Sequence, residues 1–214
     1  MALSKADFNN INVTPAASKA LKFNSNANGF ETGDLGGSMV LLSTQTASSS
    51  ANISFTSGID DTYDSYLFKY INCHPSTDAG FRLNFRDGGS SYDATKTSTA
   101  FVAYHREDDS QTSLTYRTQD DLAQSTGVQH LTGSDVVGAD NDQSISGEMF
   151  LFNPSSTTFV KHFMARSNFA GASDFSMDFY VAGYCNTTSA INGVQFTMST
   201  GNIDSGTIKM YGIV

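Results

Sequence analysis

The segment Tyr63-Asp64-Ser65-Tyr66-Leu67-Phe68-Lys69-Tyr70-Ile71-Asn72 alternates two ways at once. Tyr66, Phe68 and Tyr70 recur at every second position and line one face of a strand, while Leu67 and Ile71 fall on the other. A strand that is apolar on both faces must be covered on both, so the spacing predicts a position in the middle of a sheet. Downstream, Phe81-Arg82-Leu83-Asn84-Phe85-Arg86 alternates strictly, as a half-buried strand with one wet face does, and Asp87-Gly88-Gly89 then turns the chain.

Working outward, the same grammar repeats. Met39 to Thr46 reads as a strand that stops at Ser48-Ser49-Ser50, and Asn52 to Thr56 sets Ile53 and Phe55 on one face before Ser57-Gly58. Ala100 to Tyr104 runs into the charged stretch His105-Arg106-Glu107-Asp108-Asp109. A hairpin is expected from Glu148–Phe152, a turn at Asn153-Pro154-Ser155-Ser156, and a return over Thr157–Arg166, because proline presets φ at the first corner of a turn. Phe175–Tyr184, Gly193–Ser199 and Thr207–Ile213 complete the set. Short strands at this spacing predict an all-β, jelly-roll-like antiparallel β-sandwich over residues 38–214. One short helical turn is expected over Thr118–Ser125, where Thr118 would cap and Asp120 and Asp121 sit near the N-terminus.

Residues 1–37 differ from the rest. They hold Pro15, the small-residue run Ala16-Ala17-Ser18 and a glycine-rich stretch from Gly29 to Gly37, and only Ser18 to Phe23 alternates. This reads as an extended N-terminal arm, and an arm of that length needs a surface to lie against, which points to assembly.

Composition narrows the function. Of 214 residues 39% are hydrophobic, so a sizeable core is possible, but only 15% are charged and the surface must be solvated by hydroxyls and amides instead. The net charge is −9, and Glu31, Glu107 and Glu148 are the only glutamates. A net acidic chain gains nothing from releasing phosphate counterions, which argues against nucleic acid and against anionic membranes as partners. No stretch approaches the ~20 apolar residues of a membrane span, and Met1–Asn10 has no apolar core of a secretory signal. Cys73 and Cys185 match no metal or redox spacing, so two reduced thiols in a chain made in a reducing cytoplasm are expected.

The search for chemistry returns little. There is no Gly-x-Ser-x-Gly elbow, no His-Glu-x-x-His, no phosphate loop and no Cys-x-x-Cys. His162 lies in phase with Val160 and Met164, which places it in or at the edge of a core. His105 has carboxylates beside it but no nucleophile, and a catalytic histidine needs both. His74 and His130 have no distinguishing context. Asp140-Asn141-Asp142 is a cluster of hard oxygen ligands of the kind calcium takes, yet it lacks the EF-hand spacing and its ordinary reading is a tight turn. Asp60-Asp61 and Asp108-Asp109 are weaker versions of the same cluster. Glycosidase carboxylate pairs meet through space and leave no local signature; Tyr residues are the available sugar-stacking groups, since Trp is absent. No catalytic, cofactor or metal residue is nominated.

Longer stretches carry a resemblance. Ile59-Asp60-Asp61-Thr62-Tyr63, Phe68-Lys69-Tyr70-Ile71-Asn72-Cys73-His74-Pro75 and Asp120-Asp121-Leu122-Ala123-Gln124-Ser125-Thr126 belong to it. So do Ser146-Gly147-Glu148-Met149, Leu151–Thr158, Ala182-Gly183-Tyr184, Asn186–Asn192 and Ser205–Ile213. Taken in order over about residues 38–214, they resemble a widespread group of small structural proteins of marine tailed bacteriophages. The chain departs from that group near Phe85–Tyr92, where its members often carry a longer Ser-Thr-Asp-Gly-Gly turn. The resemblance implies a virion component with a jelly-roll-like sandwich and no catalytic residues. It is compatible with a capsid decoration (cement) protein or a glycan-binding tail or fibre protein; an enzyme acting on cell-surface polymer is a third reading. The partners expected are the major capsid protein and further copies of this chain, with a homotrimer natural at capsid vertices or tail spikes.

Overall fold

The computed structural model describes residues 13–14, 19–33 and 38–214. The chain divides into two units, Met1–Ser38 and Met39–Val214. In the first, β1 (Ala20–Phe23) and β2 (Phe30–Gly33) form an antiparallel hairpin with Phe23 opposite Phe30 and their rings stacked at 4.9 Å. The start of the glycine-rich stretch of the arm thus supplies a strand, and Glu31 sits opposite Lys22 in an ion pair of 3.3 Å. Pro15 to Ser18 and residues 34–37 lie outside the described residues.

The second unit contains twelve of the strands: β3 (Met39–Thr46), β4 (Asn52–Phe55), β5 (Ser65–Pro75), β6 (Phe81–Arg86), β7 (Lys96–Arg106), β8 (Thr112–Tyr116), β9 (Gln129–His130), β10 (Ile145–Phe152), β11 (Lys161–Gly171), β12 (Phe175–Cys185), β13 (Gly193–Met198) and β14 (Ile203–Ile213). Eight form one sheet in the order β3-β14-β5-β10-β11-β12-β7-β8, and four form a second in the order β4-β13-β6-β9. Every strand pair is antiparallel. Up to β7 and again from β12 to β14 the chain alternates between the sheets, which makes a jelly-roll-like β-sandwich. β5 lies third in the large sheet, between β14 and β10, inside the sheet as expected, but its second apolar side lies on the outer face, where Ile71 is exposed and not covered by a second layer.

The core is aromatic. Phe196 of β13 packs against Phe55 and Phe81 of its own sheet and against Phe68 and Tyr70 of the facing one, with ring centroids 5.7–6.4 Å away. Tyr70 is fully buried, and its hydroxyl reaches across β10 to Ser167 Oγ at 2.7 Å and the Arg166 carbonyl at 3.1 Å. Gly147 makes room for that crossing: a Cβ there would stand 2.6 Å from the Tyr70 ring and 2.2 Å from the Arg166 oxygen. A second tight approach occurs at Gly206, whose φ of +117° and proximity to Cys73 admit no side chain.

Three local expectations change. The short helical turn expected over Thr118–Ser125 is confined to its start, where the Asp120 and Asp121 N–H groups donate to the Arg117 carbonyl, after which Leu122 and Ser125 bond to β7 at Ser98 and Lys96. Completing the edge of β7 gives Leu122 to Ser125 backbone partners that a continued helical turn would have withheld from it. The return strand after Asn153-Pro154 begins at Lys161, not Thr157, because the Ser156 hydroxyl caps the N–H groups of Thr158 and Phe159 in a longer loop.

The third concerns His162. Lys161, Phe163 and Ala165 point inward, so His162 is exposed on the outer face beside Tyr184. Lys161 stays buried because its ammonium reaches the Thr187 carbonyl at 2.9 Å. In register it flanks Cys185, and Cys185 in turn flanks Lys96. The Lys96 ammonium is also buried, donating to Asn84 Oδ1 at 2.5 Å and the Ala94 carbonyl at 2.7 Å. Burial pushes it down to about 8, an effect partly offset by Cys185, Asp93 and Asp87. Cys73 and Cys185 are free, buried thiols, both pushed up to about 12 by burial.

Candidate functional site: the outer face of the large sheet

The side chains singled out for chemistry do not converge. His74 Nε2 lies 3.2 Å from the Asp140 carbonyl, His105 pairs with the exposed Asp109, and His130 Nδ1 lies 2.8 Å from the Gly133 carbonyl. Asp140 closes a turn by accepting the Gln143 N–H at 2.9 Å, and Asp140, Asn141 and Asp142 are exposed. Among the described residues no group of three or more His, Cys, Asp or Glu side chains is placed to hold a metal. A different concentration of charge is structural: Arg117 pairs with Asp135, whose carboxyl is raised by burial and by Asp120 and lowered by Arg117.

What the fold does assemble is a face. The inward residues of the large sheet fill the core; the alternate residues face away from the small sheet and fall into register as rows across the strands. One row runs Leu41, Tyr211, Leu67, Phe150, Met164, Ala182 and Thr99 across seven strands. Leu67 is buried but stands apart from the core cluster, whereas Met164 is 51% exposed. The neighbouring row runs Lys209, Lys69, Glu148, Arg166, Tyr180, Phe101 and Tyr116. An apolar row flanked by a mixed-charge row on an open sheet face is the anatomy of a protein-contact surface.

The Arg166 charge on this face has fixed partners. Arg166 donates to both oxygens of Asp178, at 3.0 and 2.7 Å, and its guanidinium lies 5.0 Å from the Tyr180 ring centroid. The Arg166 hydrogen bonds hold the Asp178 carboxyl below its usual range. Tyr180 stacks on Phe101 at 4.7 Å, and Phe150 stacks on Phe152 at 6.1 Å. Between these pairs the small side chains of Thr99 and Ala182 leave two shallow apolar hollows of about 410 and 260 Å³ that share Met164 on their walls. A third hollow of about 450 Å³ has the charged side chains of Lys69, Glu148, Arg166 and Asp178 around it.

The ingredients of this face are present in the sequence, but the face itself is not. Leu67 was assigned to the second side of β5; Met164 and Phe150 carried no signal alone, because only inter-strand register aligns them.

No family model matches the chain, and no curated protein matches it in sequence. Among solved structures, "Structure of infectious bursal disease virus Gx strain" aligns at 12% identity with a TM-score of 0.16, over 91% of this chain and 46% of that one. "Crystal structure of infectious bursal disease virus VP2 subviral particle" aligns at 14% identity with the same TM-score, over 92% and 46%. The chain therefore spans about half the length of these viral chains, and at that TM-score the superpositions carry no argument about fold or function.

Proposed function

We propose that this chain is a virion structural protein of a tailed phage, a capsid decoration (cement) protein that stabilises the shell through protein–protein contacts and performs no catalysis. The observation that carries this reading is the outer face of the large sheet, with its apolar row beside a row of fixed charges and stacked rings. The resemblance to phage structural proteins over residues 38–214 supports it. Its partners on this reading are the major capsid protein and copies of itself, its destination the virion, and its place of synthesis the host cytoplasm. Specific interfaces bury on the order of 1,200–2,000 Å², and repetition over a shell multiplies a modest contact. Labelling purified particles with antibody to this chain tests it: label spread over the head is expected, and label confined to the tail overturns it.

A second reading, a tail or fibre protein that binds host glycans, is favoured by the charged side chains Glu148, Arg166 and Asp178 around one hollow, beside the Phe101–Tyr180 stack. Saccharide-induced stabilisation that is lost in Arg166→Ala would support it.

A further inference from the structure

The two halves of the outer face are complementary to each other. The large sheet has eight strands, and its midline falls between β10 and β11. On one side the apolar row is bulky: Tyr211, Leu67 and Phe150. On the other, at the same distances from the midline, it is Thr99, Ala182 and Met164, the first two flooring the hollows of about 410 and 260 Å³. The charged row has the same asymmetry. Lys209, Lys69 and Glu148 lie on the first side, and Phe101, Tyr180 and Arg166 on the second.

A two-fold axis parallel to the strands along this midline returns each row onto itself reversed. It sets Phe150 over the exposed thioether of Met164 of a second copy and Tyr211 over the small Thr99, with the buried Leu67 facing Ala182 between them. It also sets Glu148 over Arg166, opposite charges across the axis, and brings the Lys69 and Lys209 ammonium groups to the edges of the stacked Tyr180 and Phe101 rings. The area suffices. Eight strands at ~4.8 Å spacing and about 26 Å of strand length give about 900 Å² per copy, roughly 1,800 Å² in all, the size of a standard stable interface.

The geometry points to a second copy of this chain as the occupant of the face, packed sheet to sheet about a two-fold axis between β10 and β11. This inference rests on the reading of the face as a protein-contact surface; of the two partners proposed above it gives this face to the second copy and leaves the major capsid protein to other surfaces of the dimer. An isologous contact of this kind is the commonest symmetry of soluble oligomers.

Light-scattering mass measurement on the full chain at about 100 µM, between the affinities of strong and weak interfaces, is expected to give twice the 22.9 kDa chain mass. Glu148→Arg sets like charges across the axis and is expected to weaken the dimer at least tenfold. Adding Arg166→Glu to the same chain restores opposite charges and with them the dimer. Circular dichroism of each variant checks that it is folded. Lys209→Cys with Phe101→Cys in one chain places two thiols five strands apart within a copy but opposite each other between copies, where facing sheets stand ~10 Å apart. A short bis-maleimide is therefore expected to join copies covalently in the double variant. A monomer at that concentration, a mass indifferent to Glu148→Arg in a folded chain, or no crosslinked dimer would overturn the inference. Antibody labelling of the head would leave the proposed function standing in each case.

Discussion

Replacing Phe196 by alanine removes the ring on which the two sheets of the second unit meet. Phe196 is fully buried, and its neighbours at 5.7–6.4 Å come from both sheets: Phe55 and Phe81 from one, Phe68 and Tyr70 from the other. Four rings anchored on three different strands cannot all close on the space, so most of it persists as a cavity. A Phe→Ala change under those conditions costs about 3–5 kcal/mol. With about 2.1 cal/mol/K of unfolding entropy per residue, a unit of this size loses roughly 8–13 °C in Tm. Phe196→Leu keeps most of the volume and should cost below about 1.5 kcal/mol. Urea titration followed by tyrosine fluorescence, usable because Trp is absent, reads all three chains. Phe159→Ala, at a ring 70% exposed, serves as the control and should move stability by less than about 0.5 kcal/mol. A Phe196→Ala loss under about 1.5 kcal/mol at unchanged m-value would refute the shared core, because a unit whose sheets pack independently has no reason to feel that ring more than a surface one.

Lys96 makes stability depend on alkaline pH. Its buried ammonium is pushed down to about 8, below its value in the unfolded chain, so folding carries the full cost at neutral pH and sheds it as pH rises from about 8 to 10.5. The stability of the wild type relative to Lys96→Met should therefore rise by about 1.4 kcal/mol per pH unit in that window, on the order of 3 kcal/mol in all; comparing the two chains cancels the cysteine and tyrosine titrations, and parallel curves would show a solvated lysine. Gly147→Ala should cost about 3 kcal/mol or more, since the new methyl meets both the Tyr70 ring and the Arg166 carbonyl, whereas Gly88→Ala has open space and pays only for its positive φ, about 1 kcal/mol. Equal thermal shifts for the two glycine variants would remove Gly147 from its role.

Legibility followed periodicity. β6 was readable to the residue from strict alternation, and β5 was placed mid-sheet by having apolar groups on both sides. β8 escaped because Thr112-Ser113-Leu114-Thr115-Tyr116 is an exposed edge with no inward stripe, and β9 because two residues have no period. The inversion at Lys161 and His162 has a sharper cause. Alternation fixes which residues share a face but not which face is inside, and polarity votes for the histidine unless the carbonyl waiting at Thr187 is known. The outer face was invisible for a related reason. Each row takes one residue per strand, so its character is a property of register between segments far apart in the chain.

That separation has a kinetic side. β14 is threaded between β3 and β5, and Thr46 meets Thr207 across 161 residues of intervening chain. Until β14 arrives, β3 and β5 are two half-built margins, each with a row of unmet amide and carbonyl groups and aromatic side chains beside it. Closing so long a loop comes late and slowly in folding. The interval before closure is when a strand of another molecule can enter the gap. Recovery of the properly folded protein should thus depend on chain concentration and temperature during synthesis more steeply than its final stability suggests, with misassembly arising at the β3–β5 gap and not at the finished surface.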